Sequence, residues 1–303
     1  MTIQRLSGGK QTDWQSIRAQ TDQPIITIIT STYNVTKDLH WTIDSIKAQS
    51  YPHIQWIVAD GASNDGTVEI LQEHNELIDY WFSEPDTGIY DAWNKALEHI
   101  QGDWVQFIGA GDELYEPDTL TKVAKYLKDA HPKYDLVYGQ VLHISEKGRK
   151  ELFISGEPWE KYVGQWEGNR PALPVQTAIY HHVTHFDMTN SLFNTDYRIV
   201  ADCHLLLQLL KNGKSMKFLP FIITIMPMGG VSGSMTSSLK IYDETYHSMK
   251  SLGLKIPIRN RASSYTKYIL KKAAYKILSE KTCRKLHDQV RIIKGKTKVY
   301  TVE

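Results

Sequence analysis

The sequence predicts an α/β fold in which a mostly parallel sheet is flanked by helices on both faces. Four apolar runs of strand length occur in the first 110 residues, at 25–29, 54–59, 78–82 and 104–108. Stretches with helical periodicity separate them, at 38–49, 67–74 and 90–100. Strands that alternate with helices form parallel sheets that are buried on both faces. In such sheets, ligands bind at the carboxyl ends of the strands, so the chemistry is expected there.

The rest of the chain predicts fewer and less regular elements. Helices are expected at 117–130 and 202–210, strands at 136–144, 151–154 and 218–226, and loops at 157–174 and 228–234. A basic, helix-compatible stretch covers 263–296. We therefore predict a main domain over 1–235, with one part at about 24–120 and a second at about 121–235, followed by a basic helical extension over 236–303.

Composition limits the class of protein. With 303 residues and 41% hydrophobic side chains, the chain can bury a large core. It has no run of about 20 apolar residues that could span a bilayer, and no apolar segment typical of a secretory signal near Met1. The prediction is a cytoplasmic protein. Cys203 and Cys283 lie far apart in unlike contexts, which favours neither a disulfide nor a cysteine metal site.

The charge is unevenly distributed along the chain. Residues 255–298 contain 14 Lys and Arg against 2 acidic residues, so this tail is about +12 and the body about −11. A basic helix attracts anionic surfaces, and its apolar face would consist of Tyr265, Tyr268, Ile269, Ala273 and Ile277. The predicted partner is an anionic membrane at the cytoplasmic face; a solvated helix packed on the body is the alternative. The tail lacks the motifs of nucleic-acid-binding folds, so no nucleic acid is expected.

Polar or small residues follow three of the predicted strands. These are Ser31 to Asn34, Asp60 to Thr67 and Gly109 to Glu113, which should converge at one edge of the sheet. Tyr33 could stack on a base, and Asp60 could accept a hydrogen bond from a base or a ribose. A glycine-bearing turn that caps the next helix is the alternative for the second segment.

Asp112 is the predicted metal ligand. It is a carboxylate that follows an apolar strand and lies between Gly111 and Pro117. Mg²⁺ or Mn²⁺ often takes one or two protein carboxylates and completes its shell with phosphate oxygens and water. The alternative is an Asp in a plain β-turn.

These segments resemble the inverting family 2 glycosyltransferases of the GT-A fold, especially those that build bacterial O-antigen and capsule. The likeness lies in ITIITSTYN (26–34), WIVADGASNDGT (56–67), SEPDTGIYDAWNKAL (83–97) and GDWVQFIGAGDELYEPDTL (102–120). It continues more weakly in PVQTAIYHH (174–182), YRIVADCHLLLQL (197–209) and MGGVSGS (228–234). The resemblance implies a metal-dependent transferase that moves a hexose or N-acetylhexosamine from a UDP-sugar to a saccharide acceptor, which could be lipid-linked. It implies that the domain over 1–235 is catalytic, with a nucleotide-sugar-binding half at about 24–120 and an acceptor-binding half at about 121–235.

The resemblance also implies roles for individual residues. The nucleoside-binding set would be Ser31, Tyr33 and Asp60, and the nucleotide and sugar pocket would be lined by Gly88, Asp91 and Asn94. The metal motif would be Ala110, Gly111 and Asp112. The family commonly has a second Asp where this chain has Gly111. That departure motivates an alternative function, an impaired nucleotide-sugar-binding or scaffolding protein of the same fold.

Asp202 matches the catalytic base of that family. It precedes an apolar helix, and a helix N-terminus favours an ionised carboxylate that can accept a proton. An N-cap without a catalytic role is the alternative. A metal site at His181, His182 and His185 is not favoured, because their spacing fits no zinc pattern well. The glycines of MGGVSGS could form a lid over the diphosphate, or a plain turn.

Overall fold

The protein has the predicted α/β fold in a computed structural model that describes residues 5–186, 192–230 and 235–302. The strands are β1 (Leu6–Gly8), β2 (Ile26–Thr32), β3 (Ile54–Asp60), β4 (Tyr80–Ser83), β5 (Trp104–Gly109), β6 (Glu113–Leu114), β7 (Leu136–Ile144), β8 (Glu151–Ser155), β9 (Trp166–Glu167), β10 (Arg170–Pro171), β11 (Ile179–His182) and β12 (Met216–Pro227). The helices are α1 (Trp14–Arg18), α2 (Leu39–Lys47), α3 (Thr67–Glu73), α4 (Ile89–Leu97), α5 (Thr119–Leu127), α6 (Trp159–Tyr162), α7 (Ala201–Lys211), α8 (Met235–Ser251), α9 (Ile258–Ile277) and α10 (Glu280–Ile293).

Ten of these strands form one sheet in the order β1-β4-β3-β2-β5-β11-β7-β12-β6, with β8 paired to β7. The β4-β3-β2-β5 part is parallel throughout, as the alternation of strands and helices predicts. β11 is antiparallel to both β5 and β7 and joins the first half of the sheet to the second. β12 returns parallel to β7.

Successive residues of the central strands face opposite sides of the sheet, and both sides are covered. In β2, Ile28 belongs to the core beneath α2 and α5, whereas Ile29 belongs to the core beneath α4 and α7. Both residues are fully buried. A strand buried on both faces contains a continuous apolar run rather than an alternating one, which explains the run at 25–29.

One of the two predicted loops differs from the structure, and the other is only partly described. The segment 157–174 contains the short helix α6 and the two-stranded hairpin β9–β10. These elements have two to four residues each, which is too short for a periodic pattern. The predicted loop 228–234 lies partly outside the described residues, because 231–234 are not described.

The C-terminal extension is helical, as predicted, but its basic stretch at 263–296 is divided between two helices, α9 and α10. Ser279 divides them, and its hydroxyl oxygen accepts from the Thr282 N–H at 3.3 Å as the N-cap of α10. The preceding helix α8 contributes Met249 to the core beneath α7, and Leu252 follows it there. The division of the chain at residue 235 stays a prediction.

Candidate active site

The carboxyl ends of four parallel strands are aligned at one edge of the sheet. Thr32 at the end of β2 pairs with Asp60 at the end of β3, and Asp60 pairs with Ser83 at the end of β4. On the other side of β2, Ser31 pairs with Gly109 at the end of β5. The three polar segments that follow β2, β3 and β5 therefore meet at this edge.

Asp60 connects three of these strand ends. Its side chain is buried, and one carboxylate oxygen accepts from the hydroxyls of Thr32 at 2.8 Å and Ser63 at 2.6 Å. The other oxygen accepts from the Ser63 N–H at 2.9 Å and the Ser83 hydroxyl at 2.6 Å. Because a carboxylate has about four acceptor positions, these bonds satisfy it. The contact of Asp60 with a nucleoside stays a prediction, and it would require one of these bonds to be exchanged.

Tyr33 and Asp86 form an accessible surface beside Asp60. The Tyr33 ring is 64% exposed. A Cβ at Gly61 would lie 2.6 Å from a carboxylate oxygen of Asp86 and 3.3 Å from Cδ2 of Tyr33, so only glycine allows both to approach this backbone. An exposed ring next to a carboxylate suits a planar base, since the ring can stack on it and the carboxylate can accept from its N–H.

Asp86 was not among the residues predicted from the sequence. It lies within the SEPDTGIYDAWNKAL segment and accepts from the Gly88 N–H at 2.8 Å. Burial raises the pKa of this carboxyl above its usual value, and the charges of Asp91 and Asp60 raise it further. A hydrogen-bond donor from a ligand would relieve this unfavourable environment.

The three residues predicted to line the nucleotide and sugar pocket all belong to α4 or its start. Gly88 is the N-cap residue with φ of 132°, where a side chain would be strained. Asp91 accepts from the Thr87 N–H at 2.8 Å and lies 3.5 Å from the Lys95 ammonium. The Asn94 side chain exchanges two hydrogen bonds with the backbone of Phe193, at 2.8 and 3.0 Å. It thus connects α4 to the segment that leads into α7.

The metal motif forms a tight turn after β5. Gly111 has φ of 96°, and its N–H donates to the Thr42 hydroxyl oxygen at 2.9 Å, while that hydroxyl donates to the Asp112 carbonyl at 2.7 Å. An Asp at position 111 would be strained in this left-handed conformation. The backbone therefore gives a physical reason for glycine at the position where the family commonly has a second Asp.

The Asp112 carboxylate lacks a cationic partner among the described residues. One oxygen accepts from the Gly109 N–H at 3.3 Å, and burial raises the pKa of the carboxyl to about 7. The described residues contain no group of three or more His, Cys, Asp or Glu that could hold a metal. A divalent cation at Asp112 would therefore need phosphate oxygens and water for most of its shell, which is common for Mg²⁺. The residues fit a cation that arrives with a nucleotide diphosphate.

Asp202 lies in the first turn of α7, one residue inside the helix, and Val200 is the N-cap. One carboxylate oxygen accepts from the Tyr90 hydroxyl at 3.0 Å and from the Cys203 N–H at 2.8 Å. Burial raises the pKa of the carboxyl above its usual value, while these two hydrogen bonds and the charge of Arg170 favour the ionised form. Asp202 is therefore not the N-cap of this helix, and Tyr90 connects it to α4.

The N-terminus of α7 is capped from another helix. Val200 provides no side-chain acceptor, and the Glu244 carboxylate of α8 accepts instead from the N–H groups of Arg198 at 3.0 Å, Ile199 at 2.8 Å and Val200 at 3.2 Å. Glu244 is buried. A carboxylate at this position also complements the positive end of the helix dipole. Glu244 therefore fixes the start of the helix that carries Asp202, and no local sequence pattern indicates it.

The three histidines do not form a metal site. Trp104, the first residue of β5, pairs with His182, so the cluster lies at the opposite end of β5 from Asp112. His181 is fully buried and bonds to Gln176 at 2.9 Å, and His185 lies 3.2 Å from Asp135. Burial lowers the pKa of His181 to about 3 and of His182 to about 4. His181 and His185 are neutral residues of the buried core, and His182 is half-buried beside them.

The fold is an α/β fold with polar segments at the carboxyl ends of its parallel strands, and the comparisons specify the family. The model of "Glycosyl transferase family 2" matches residues 27–198. The chain belongs to the family 2 glycosyltransferases. This confirms the resemblance found in the sequence.

Curated relatives match less than half of the chain. A "PGL/p-HBAD biosynthesis glycosyltransferase" of Mycobacterium bovis is 37% identical over 131 residues, which is 42% of this chain and 50% of that protein. The "putative teichuronic acid biosynthesis glycosyltransferase TuaG" of Bacillus subtilis is 34% identical over 110 residues, which is 35% of this chain and 43% of that protein. The chain spans about half the length of the curated relatives that it matches.

Solved structures share the fold at low sequence identity. TarS residues 1–349 of S. aureus in complex with UDP is 14% identical, with a TM-score of 0.59 over 87% of this chain and 78% of that one. The mannosyltransferase PcManGT of Pyrobaculum calidifontis, in complex with GDP-Man and Mn²⁺, is 19% identical, with a TM-score of 0.59 over 92% of this chain and 86% of that one. These likenesses establish the fold, as predicted from the order of strands and helices.

Proposed function

We propose that the protein is an inverting, metal-dependent glycosyltransferase that moves a hexose or N-acetylhexosamine from a UDP-sugar to a saccharide acceptor in bacterial surface polysaccharide biosynthesis. The acceptor is proposed to be lipid-linked, as in O-antigen or capsule assembly. The observation that carries the proposal is the placement of two carboxylates: Asp112 follows β5 at the edge where four strand ends meet, and Asp202 is held to α4 by Tyr90.

In this proposal, the donor binds along the aligned strand ends. Tyr33 stacks on the base, Asp86 accepts from it, and Asp112 would hold Mg²⁺ or Mn²⁺. When bound, the cation would supply positive charge that stabilises the departing nucleotide diphosphate. The presence of UDP in one solved neighbour and of GDP-Man with Mn²⁺ in another supports this donor class.

Asp202 acts as the general base. It accepts the proton of the acceptor hydroxyl as that oxygen forms a bond to the anomeric carbon, on the face opposite the diphosphate. The bond from this carbon to the diphosphate oxygen breaks with its electron pair on the leaving group, so the configuration inverts. The raised pKa of Asp202 suits this role, because a base whose pKa approaches the working pH accepts a proton more readily.

A screen of UDP- and GDP-sugars tests the proposal. Mn²⁺-dependent hydrolysis or transfer with one donor is expected, with loss of activity in EDTA. The Asp202→Asn variant should lose transfer and keep donor binding. Transfer that persists in this variant would place the base elsewhere, and activity that persists in EDTA would refute metal dependence.

The alternative function is a non-catalytic nucleotide-sugar-binding protein, which is motivated by Gly111. Tight UDP binding without transfer or hydrolysis of any donor would favour it. The retention of both Asp112 and Asp202 supports the enzyme instead.

A further inference from the structure

The outward face of α9 is apolar, which is unusual for a helix at the surface of a soluble protein. Its inward face contains the buried Ser264 and the half-buried Tyr268 and Tyr275. On the opposite face lie exposed large apolar side chains, at Ile258 (88%), Tyr265 (56%), Ile269 (44%), Leu270 (65%) and Ile277 (81%). A helix packed on a domain normally buries its apolar stripe and exposes its polar face. Here the stripe faces solvent.

The next helix repeats the pattern. In α10, Cys283 and Asp288 are buried, whereas Leu286, Val290 and Ile293 are exposed at the i, i+4 and i+7 spacing of one helix face. Nine of the fourteen exposed large apolar side chains of the described residues lie between 258 and 293. Single exposed apolar residues need no explanation, but a concentrated patch indicates a binding surface. We call the exposed faces of α9 and α10 the tail surface.

Basic residues surround the tail surface, and the two nearby acids do not neutralise it. Exposed Lys267, Lys272 and Lys276 lie along α9 among the apolar positions. Of the acids, Glu280 pairs with Arg284 at 2.8 Å. Asp288 is buried and accepts from backbone N–H groups of residues 299–301. The surface therefore keeps a large positive charge beside its apolar side chains.

We propose that the tail surface binds an anionic lipid bilayer, with α9 and α10 lying in the plane of the membrane. Apolar side chains would enter the acyl region, while lysine stems reach lipid phosphates. A second copy of the chain is a poor occupant, because two tails of about +12 each would repel. Within the described ranges, every helix is too short or too polar to cross a membrane. The binding is therefore interfacial.

The tail surface is connected to the catalytic side of the molecule. A Cβ at Gly168, in the β9–β10 hairpin, would lie 3.7 Å from the Ser264 hydroxyl of α9. The same hairpin contains Arg170, whose charge favours ionised Asp202. If the proposed function holds, a docked tail brings the acceptor side of the site to the bilayer, where a lipid-linked saccharide is presented.

Vesicle flotation tests the proposal without nucleotide or sugar, so its outcome is independent of catalysis. The full chain is mixed with vesicles of phosphatidylcholine alone, or with 30% phosphatidylglycerol, at low and high salt. We expect binding to the anionic vesicles that weakens as salt rises. Equal binding to both vesicle types, or no binding to either, would overturn the proposal.

Three variants separate the two components of the surface. Ile269→Ser with Leu270→Ser and Ile277→Ser should weaken vesicle binding at least tenfold, because three exposed apolar side chains that would enter the bilayer are lost. Lys267→Gln with Lys272→Gln and Lys276→Gln should also weaken it, by about fivefold per lysine at low salt. Leu6→Ser is the matched control, because it removes an exposed apolar side chain that is distant in sequence from the tail surface. This variant should bind vesicles as well as wild type does.

Two further results would contradict a membrane partner. The first is equal, salt-sensitive binding to duplex DNA, which would indicate a general polyanion surface. The second is self-association in sedimentation that the apolar variant abolishes, which would indicate a second copy of the chain. Far-UV circular dichroism and the unfolding temperature test whether each variant is folded. The variants should fold, because all substituted residues except Leu6 lie on the solvent face of α9.

Discussion

Replacement of Glu244 should destabilise the protein and impair catalysis at a distance. The carboxylate accepts from three N–H groups at the start of α7, and Asp202 follows two residues after the last of them. In Glu244→Ala, these donors lose their acceptor. Water can replace it at the exposed Arg198, but less readily at half-buried Ile199 and buried Val200.

The expected magnitude follows from those two interior donors. An unsatisfied buried donor costs about 1–3 kcal/mol, so Glu244→Ala should lower the free energy of unfolding by about 2–5 kcal/mol. For a chain of 303 residues, this corresponds to a decrease of about 3–8 °C in the unfolding temperature. Glu244→Gln keeps one acceptor oxygen and loses the charge, so about half of this effect is expected.

The assay combines thermal unfolding with transfer kinetics. Because the start of α7 would shift with its cap removed, kcat should fall in Glu244→Ala at temperatures where the variant is still folded. Asp243→Ala is the matched control, since Asp243 is the exposed neighbour on the same helix; a change within about 0.5 kcal/mol is expected. An unfolding temperature of Glu244→Ala within 2 °C of wild type, or equal to that of Asp243→Ala, would refute the capping role.

Three further perturbations test the same structure. Tyr90→Phe removes the hydroxyl that donates to Asp202, so kcat/KM should fall about tenfold. Because the hydrogen bond to the ionised carboxylate is lost, the acidic limb of the pH profile of kcat/KM should move to higher pH. An unshifted profile would argue against that contact. Gly111→Ala introduces a side chain at φ of 96° and should lower the free energy of unfolding by about 1–2 kcal/mol, as chemical denaturation measures; no loss would contradict the left-handed turn. Burial lowers the pKa of His181 in the folded protein to about 3, whereas its pKa in the unfolded chain is about 6.5. Between these two values the unfolded chain binds one more proton than the folded protein, so the free energy of unfolding falls as pH decreases. The expected loss is about 2 kcal/mol between pH 6.5 and pH 5. His181→Asn should reduce the slope of unfolding free energy against pH by about one proton, and an unchanged slope would exclude His181 as the source.

The central strands and their parallel pairing could be predicted because each strand is buried on both faces. An unbroken β-branched run such as Ile25–Ile29 predicts a strand without reference to the rest of the molecule. Strand and helix alternation then predicts parallel pairing, and parallel pairing brings the strand ends together. Asp112 and Asp60 were expected at this edge for that reason alone, and both follow or end strands there.

The unpredicted parts of the site depend on contacts between distant segments. Tyr90 is 112 residues from Asp202, and Glu244 is 44 residues from Val200. Neither contact could be recognised in the local sequence. Each of these residues fits the helical periodicity of its own helix, so nothing in that helix indicates a distant partner. Asp86 could have been predicted from the sequence, since it lies in a segment already assigned to the nucleotide pocket. Its approach to Tyr33 could not, because that contact requires the folded turn at Gly61.

In the proposed function, Asp112 holds a divalent cation together with the nucleotide diphosphate, and calorimetric titration of UDP measures this coupling. UDP should bind in the presence of Mn²⁺, EDTA or Asp112→Asn should weaken this binding at least tenfold, and Asp202→Asn should leave it unchanged. UDP binding that is equally tight without Mn²⁺, or in Asp112→Asn, would exclude Asp112 as the metal ligand.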